Sequence, residues 1–489
     1  MAPAPTILRG STYRGSHAVV PTPPLEIGHR RQLLMDDCVV ADRWRLRRTV
    51  HQPVKHESNP LISPQRPCEA RGPAYITAFL DPHTGQYRLW GTVSGEGKGE
   101  LARRGVYYES DDGLDWSAPD LGLVEFEGSS ANNIFWGGGG FIYDNLNVLP
   151  LPEAHAGKGR YAMLYNRSPA GGGDYDVEPA AGMQVRLAFS DDGLRWRDQD
   201  ENPVLVGRSD THNNMVYNPQ RGAFMHYRRA TINAHEIRRI ALSESADLVE
   251  WTQPRVVLAP DELDPPMLYS MTVHEYEGLY LGFVQMFYAG AEQRLDKELM
   301  TDCQLAWSRD GQTWERHPER PLFQECGHVG DWDWGMVRPG QSLVTHGDEV
   351  RIYYAGADRL HTRMEGEWRV GLATLRRDGF VSLEAQDEGY MVTRPLRCPA
   401  GRLHLNLRTG CRGSGRDGFV RVAVRRADGV ADGEMVPGRD FESAAPVTGD
   451  CLDAVAGWSG QEDLSALEGQ AVRLHFWLKD AELYSFWIA

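Results

Sequence analysis

Glu69, Asp144, Asp210 and Asp333 each fall near the start of a run that reads as a β-strand. Two carboxyl groups facing each other across a bond can divide the work of cleaving it. One stays protonated and donates to the leaving oxygen, while the other is an ionised nucleophile or a base for water. Polar company surrounds these acids. Arg71 follows Glu69, Asn213 follows Asp210, and Trp334 and Arg338 follow Asp333. Arg71, Arg228 and Arg338 are suited to orienting a carboxylate or holding a leaving group. Asn133 and Asn213 can hydrogen-bond hydroxyls, Trp334 offers a ring face for stacking, and His361 follows a strand within reach of the same region. Asp264 and Asp331 occupy similar positions, whereas Asp81 and Asn218 each precede Pro in a turn, which accounts for them fully.

The elements that must position these groups repeat. Ser110-Asp-Asp-Gly-Leu-Asp-Trp116 recurs as Ser190-Asp-Asp-Gly-Leu-Arg-Trp196 and as Ser308-Arg-Asp-Gly-Gln-Thr-Trp314. Ser243-Glu-Ser-Ala-Asp-Leu-Val-Glu-Trp251 is a looser copy, and Arg376-Arg-Asp-Gly-Phe380 a degenerate one. Asp-Gly between apolar runs signals a tight hairpin, because Gly accepts positive φ and Asp bonds its own backbone. The Trp then packs between sheets. A second hairpin precedes each copy, as in Tyr75 to Trp90, Phe141 to Tyr165, Met215 to Tyr227, Tyr269 to Gly282 and Ser342 to Tyr354. Two hairpins make a four-stranded antiparallel sheet, and five such units in a row predict an all-β chain with a five-bladed β-propeller. Alternating strands beyond Tyr390 predict a C-terminal β-sandwich. The expected division is an N-terminal arm over 1–30, the propeller over 31–388 and the sandwich over 389–489.

Charge and composition narrow the function. The 489 residues carry a net charge of −16, which argues against a nucleic-acid partner, since phosphate binding needs a basic surface. No run is apolar enough to cross a bilayer as a helix, and Met1 to Pro24 has no apolar core of a secretory signal. The seven cysteines are scattered without CxxC, so reduced thiols, a cytoplasmic location and no zinc site are expected. His212, His226 and His235 cluster in sequence at irregular spacing, a weak invitation to a metal, and the expectation is that none is bound.

A five-bladed propeller with a C-terminal sandwich resembles the glycoside hydrolases of the invertase, levansucrase and arabinanase kind (families 32, 68 and 43). The chain is most similar to a bacterial "family 32-like" branch, through Leu33-Leu-Met-Asp-Asp37, Asn132-Asn133, Leu305-Ala-Trp-Ser-Arg-Asp-Gly311, Asp348-Glu-Val-Arg-Ile-Tyr-Tyr354 and Ala481-Glu-Leu-Tyr-Ser-Phe486. The resemblance implies an exo-acting glycosidase or transglycosylase that needs no cofactor. It implies a carbohydrate as the partner and Glu69, Asp144, Asp210 and Asp333 as the catalytic candidates, with homo-oligomers open. Where invertases carry Asn-Asp-Pro-Asn-Gly, this chain has Pro67-Cys-Glu-Ala-Arg-Gly-Pro73, so the sugar stays open. Two alternatives stand beside hydrolysis. One is a glycoside phosphorylase using Arg228, Arg229, Arg338 and His361 for phosphate, and the other a non-catalytic glycan-binding propeller.

Overall fold

The computed structural model describes residues 23–95, 103–137, 141–169, 184–206, 209, 211–230, 237–290, 297–361, 366–410, 418–427 and 433–489, the side chains of 141–144, 168–169 and 206 excepted. The described chain is almost entirely β, with short 3-10 turns such as Pro67–Glu69 and no α-helix among the described residues. It forms two compact units, one over Gln52–Thr374 and the other combining the segments up to His51 and from Leu375 onward. The boundary falls at Thr374 rather than at 388. The reason is that strand Val381–Thr393 pairs with Arg47–Val50, Val40–Trp44 and Ala471–Ile488, all in the second unit.

Within Gln52–Thr374 the paired hairpins form five successive strand sets, counted below as sheets one to five, of which the fourth and fifth are joined into one ten-stranded sheet by the parallel pairing of Thr301 with Met336. The first contains Pro73–Leu80, Tyr87–Ser94, Arg103–Ser110 and Ile134–Trp136. The second runs from Phe141–Pro150 through Tyr161–Pro169 and Gln184–Ser190 to two short outer strands. The third contains Asn214–Asn218, Ala223–Arg229, Ile240–Ser245 and Arg255–Leu258. The fourth is built on Met267–Tyr276, Leu279–Phe287 and Thr301–Ser308. The fifth has Met336–Pro339, Glu349–Ala357 and Trp368–Arg376, and its outer strand is Val54–Lys55, which precedes the first sheet in the chain.

The repeated turns explain both the strands and their neighbours. In each of the four full copies a serine hydroxyl receives the amide three residues on: Ser110 from Gly113, Ser190 from Gly193, Ser245 from Leu248 and Ser308 from Gly311, all at 2.8 Å. The aspartate between them accepts the next two amides, as Asp112 does from Leu114 at 2.8 Å and Asp115 at 2.9 Å. Those amide bonds hold the Asp112 carboxyl below its usual range. The carbonyl at the turn is then capped from the preceding sheet. Trp90 Nε1 donates to Gly193 O at 2.8 Å, Gln199 Nε2 to Leu248 O at 3.0 Å and Tyr227 hydroxyl to Gly311 O at 2.6 Å. Gly113 O of the first sheet receives the Tyr353 hydroxyl of the fifth at 2.8 Å. The tryptophans follow the same order, with Trp314 edge-on to Tyr227 and Trp116 edge-on to Tyr353.

The first strands are also tied in sequence. Asn147 Nδ2 donates to Thr77 Oγ1 at 3.2 Å, Met215 N to Asn147 Oδ1 at 3.0 Å and Val273 N to Asn214 Oδ1 at 2.9 Å. Gln341 N of the fifth sheet donates to Ile76 O of the first at 2.9 Å. Set five therefore meets set one, and with Thr301 paired to Met336 between sets four and five the five strand sets adjoin in cyclic order. Apolar cores fill the gaps, such as Ile76, Leu89 and Val106 with Val344, Tyr353 and Leu372.

In the second unit the long strand Ala471–Ile488 changes partners along its length. Phe419–Arg426 pairs with its first part and Leu403–Thr409 with its second, on either side of Asp480, whose φ is +40°. The core here is separate, with Leu405, Val422, Trp458, Leu474, Phe476 and Phe486 at its centre. The degenerate turn copy belongs to this unit. Asp378 receives Arg31 Nη1 at 2.8 Å and the Ser485 hydroxyl at 2.6 Å.

Candidate active site

The two described acids of the four candidates serve the framework. Glu69 is buried at the end of the turn Pro67–Glu69. Its Oε2 accepts the amides of Gln65 at 2.7 Å and Arg66 at 3.0 Å, and its Oε1 accepts Asn133 Nδ2 at 3.3 Å. Asn133 also donates to Tyr107 O and accepts from the Cys68 thiol, so it too is committed to this loop. Burial, then Glu69, pushes the Tyr108 phenol far up. Asp333 is buried on the fifth sheet, where its Oδ2 accepts Lys55 Nζ at 2.6 Å and the Tyr354 hydroxyl at 3.0 Å. Trp332 stacks on Tyr354 at 5.4 Å, and Lys55 lies on the outer strand, so the cluster pins the chain's upstream strand to the fifth sheet. Asp264 is likewise taken up, by Arg316 at 2.6 Å. The Asp144 side chain and Asp210 lie outside the described residues.

A different set converges. Tyr269, on the first strand of the fourth sheet, is buried, and its hydroxyl meets three groups. Arg338 Nη2 donates to it at 3.2 Å, Tyr75 hydroxyl lies at 3.1 Å and His361 Nε2 at 3.1 Å. The guanidinium of Arg338 sits over the rings of Trp368 at 4.3 Å, Tyr269 at 4.7 Å and Tyr75 at 4.8 Å. Arg238 and Arg229 lie over Tyr269 at 5.0 and 5.3 Å. Arg359 lies over Trp368, and burial, then Arg338 and Arg71, lower its pKa. His212 packs edge-on to Tyr75 at 4.9 Å. Burial above all, then Arg338 and His274, lower its imidazole to about 3.

Backbone irregularity places these groups. The register of the first strand shifts between Pro73 and Tyr75, and again between Leu268 and Ser270, so Ala74 and Tyr269 are extra residues that re-aim the strand starts. A similar shift lies between Asp144 and Asn147. Among the sequence candidates, Arg71, Arg338 and His361 belong to this cluster. Asn213 does not. It organises its own loop, donating to Asn166, Ser209 and Thr211 and accepting from Ser209 and His226 Nε2. Arg228 is 1% exposed on the middle of the third sheet, and burial brings its pKa down to about 10. Trp334 is half-buried and makes no ring contact among the described residues, while its neighbour Trp332 does the stacking. His212 and His226 stand in separate settings, and His235 lies outside the described residues. No group of three His, Cys, Asp or Glu suited to a metal occurs among the described residues.

Tyr75, Tyr269 and Trp368 were missed as site residues because aromatics opening a strand read as packing. The sequence signals pointing elsewhere are Arg71 just ahead of Tyr75 and Arg338 on the first strand of the fifth sheet. The cluster offers ring surfaces, phenol hydroxyls and a high density of positive charge. It can bind, orient and neutralise a polar ligand, but on its own it supplies no carboxyl pair.

No family model matches the chain, and no curated protein matches it. Solved structures do show similarity. An N-acetylgalactosamine deacetylase from F. plautii, solved with blood group B trisaccharide, is 15% identical with a TM-score of 0.45, over 69% of this chain and 97% of its own. A glycoside hydrolase described with the GH130 mannoside phosphorylases, targeting β-1,2 mannosidic linkages in Candida mannan, is 14% identical with a TM-score of 0.45 over 67% and 94%. A thermostable family-43 glycoside hydrolase is 16% identical with a TM-score of 0.42 over 64% and 95%. Similarity at this level decides neither reaction nor substrate.

Proposed function

We propose that the chain is a glycoside-processing enzyme, a hydrolase or transglycosylase of the family 32/43/68-like kind. On this reading its five cyclically adjoining sheets are the blades of a β-propeller, followed by a β-sandwich. The supporting observation is the convergence on Tyr269 of Tyr75, Arg338 and His361, with His212 packed on Tyr75 and Arg71 near Arg359, groups brought from the first, third and fifth sheets to the start of the fourth. Ligand sites form where the inner strand starts of such sheets meet. Because Glu69 and Asp333 already hold framework bonds, Asp144 and Asp210 are the pair proposed first as acid and partner carboxylate. The test is turnover of a panel of aryl glycosides and oligosaccharides. Asp144→Asn and Asp210→Asn should each lower kcat by about 10²–10⁴. Glu69→Gln and Asp333→Asn should keep activity per folded molecule. Full activity in both Asp144→Asn and Asp210→Asn would overturn the assignment.

A further inference from the structure

Arg338 is a buried cation whose counter-charge is missing among the described residues. It is 4% exposed, and its hydrogen-bond partners are the Tyr269 hydroxyl at 3.2 Å and the Met336 sulfur at 3.9 Å. Its Nε has no hydrogen-bond partner among the described residues. Ring faces cover the guanidinium but cannot accept its in-plane N–H groups. A charge taken out of water without a paired anion is destabilising, so proteins normally supply one. This molecule does so elsewhere: Arg88 meets Asp81 at 2.9 Å, Arg316 meets Asp264 at 2.6 Å and Lys297 meets Asp302 at 2.6 Å. His212, 2% exposed beside the same Tyr75 ring, is a second unsatisfied group, with neither ring nitrogen hydrogen-bonded among the described residues. The surrounding charge has one dominant sign. Arg71, Arg229, Arg238 and Arg359 crowd Tyr269 and Trp368, and the acid that faces Arg359, Asp358, accepts the Glu367 amide. Arg71, Arg359 and His361 are half-buried, so the cluster reaches solvent.

We propose that the Arg338–His212 cluster is an oxyanion site that receives the carboxylate of an acidic sugar. A planar carboxylate matches the free in-plane edge of a guanidinium, and two unsatisfied imidazole nitrogens beside it add a further donor. Phosphate carries the same oxyanion chemistry and is the other source to separate. The assignment concerns binding and holds whether or not the chain cleaves glycosides.

The experiment is titration calorimetry of the full chain with glucuronate, inorganic phosphate and neutral glucose, with thermal melts alongside. The expected result is saturable glucuronate binding that raises Tm, with glucose inert, and at least a tenfold weaker affinity in Arg338→Met. Phosphate binding tighter than glucuronate would replace the sugar acid by a phosphate ligand and overturn the carboxylate assignment. Indifference of the wild type to both anions would overturn the site itself. Melts without ligand give an independent readout. Arg338→Met should melt at or above the wild-type temperature, because it removes an uncompensated charge. A drop of several degrees would mark Arg338 as structural and sink the proposal. His212→Gln should lower glucuronate affinity severalfold while leaving the melt of the free protein at pH 7.5 near that of the wild type.

Discussion

Arg88 and Arg338 stand in matching surroundings with opposite outcomes. Each guanidinium is buried within three aromatic rings: Trp90, Tyr107 and Tyr161 around Arg88, and Trp368, Tyr269 and Tyr75 around Arg338. Around Arg88 every direction is answered. Asp81 accepts at 2.9 Å, the Asp192 carbonyl at 2.7 Å and the Tyr107 hydroxyl at 2.8 Å, and Tyr161 donates to the same Asp81 at 2.7 Å. Around Arg338 one phenol oxygen and a thioether answer. The rings are common to both, so they do not distinguish a structural arginine from a ligand-binding one. The acid does. A closed network fixes a fold, whereas a cage with an unanswered charge is a place for something to arrive.

Truncating each arginine gives the widest separation between the two cages. Arg88→Met leaves Asp81, fully buried, without its counter-ion, and breaking such a pair costs about 3–5 kcal/mol. Arg338→Met leaves no orphaned acid among the described residues and should stay within about 1 kcal/mol of wild type, or gain. Urea unfolding of the two variants measures this directly. Equal losses would show that Arg338 is as structural as Arg88, and the contrast would collapse.

A smaller effect probes how tightly the closed cage is packed. Gly193, at φ +76°, has the Arg88 Nη atoms 2.9 Å from where a Cβ would sit. Gly85, at φ +74°, has nothing within 4 Å. Both alanine substitutions incur the cost of a left-handed backbone, about 1–2 kcal/mol. Gly193→Ala should cost about 1–3 kcal/mol more, because Arg88 must shift from Asp81 and the Asp192 carbonyl. Matching thermal melts for Gly85→Ala and Gly193→Ala would mean that the Arg88 cage yields freely.

Much of this framework is written locally. Ser-x-Asp-Gly is a turn whose bonds form within four residues, so the copies at Ser110, Ser190 and Ser308 were legible, as were the hairpins before them. The third copy is looser because Leu248 takes the glycine position at φ +67°, its side chain buried, and the register begins at Ser245. The division at Thr374 was not legible. The strand after Asp378 alternates like the others, and only its pairing with Arg47–Val50 and Ala471–Ile488 assigns it to the second unit. For the site, position along a strand identified Arg71, Arg338 and His361 but gave no reason to join them to Tyr75, Tyr269 and Trp368. Glu69 and Asp333 were drawn in by the same positional logic. Their partners Asn133 and Lys55 are distant in sequence, so spacing does not report the framework bonds these acids make.

The two cages should also fail at different pH, and the sign follows from their titrating groups. Asp81 lies below its ordinary 3.8: burial pushes it up, but the His83 amide, Tyr161 and Arg88 outweigh that. Its contribution is therefore complete above 3.8 and lost only as the pH falls below that value. His212 works the other way. Its folded imidazole takes up a proton only near 3, whereas the unfolded chain takes it up near 6.5. Around and below 6.5 the unfolded state binds more protons, so stability falls as pH falls, approaching about 1.4 kcal/mol per pH unit for this one group near pH 5. His274, also lowered to about 3 by burial, and His226, lowered by burial and then by Arg228, add to the same slope. Urea melts of wild type and His212→Gln between pH 5 and 7.5 isolate the term. Below about pH 6 the variant should lose stability less steeply, by up to about 1.4 kcal/mol per pH unit, with the difference vanishing towards pH 7.5, and Asp81→Asn should leave the slope unchanged across that range. If His212→Gln and wild type run parallel, the imidazole is charged in the folded state, and the pocket beside Arg338 already holds a compensating negative group.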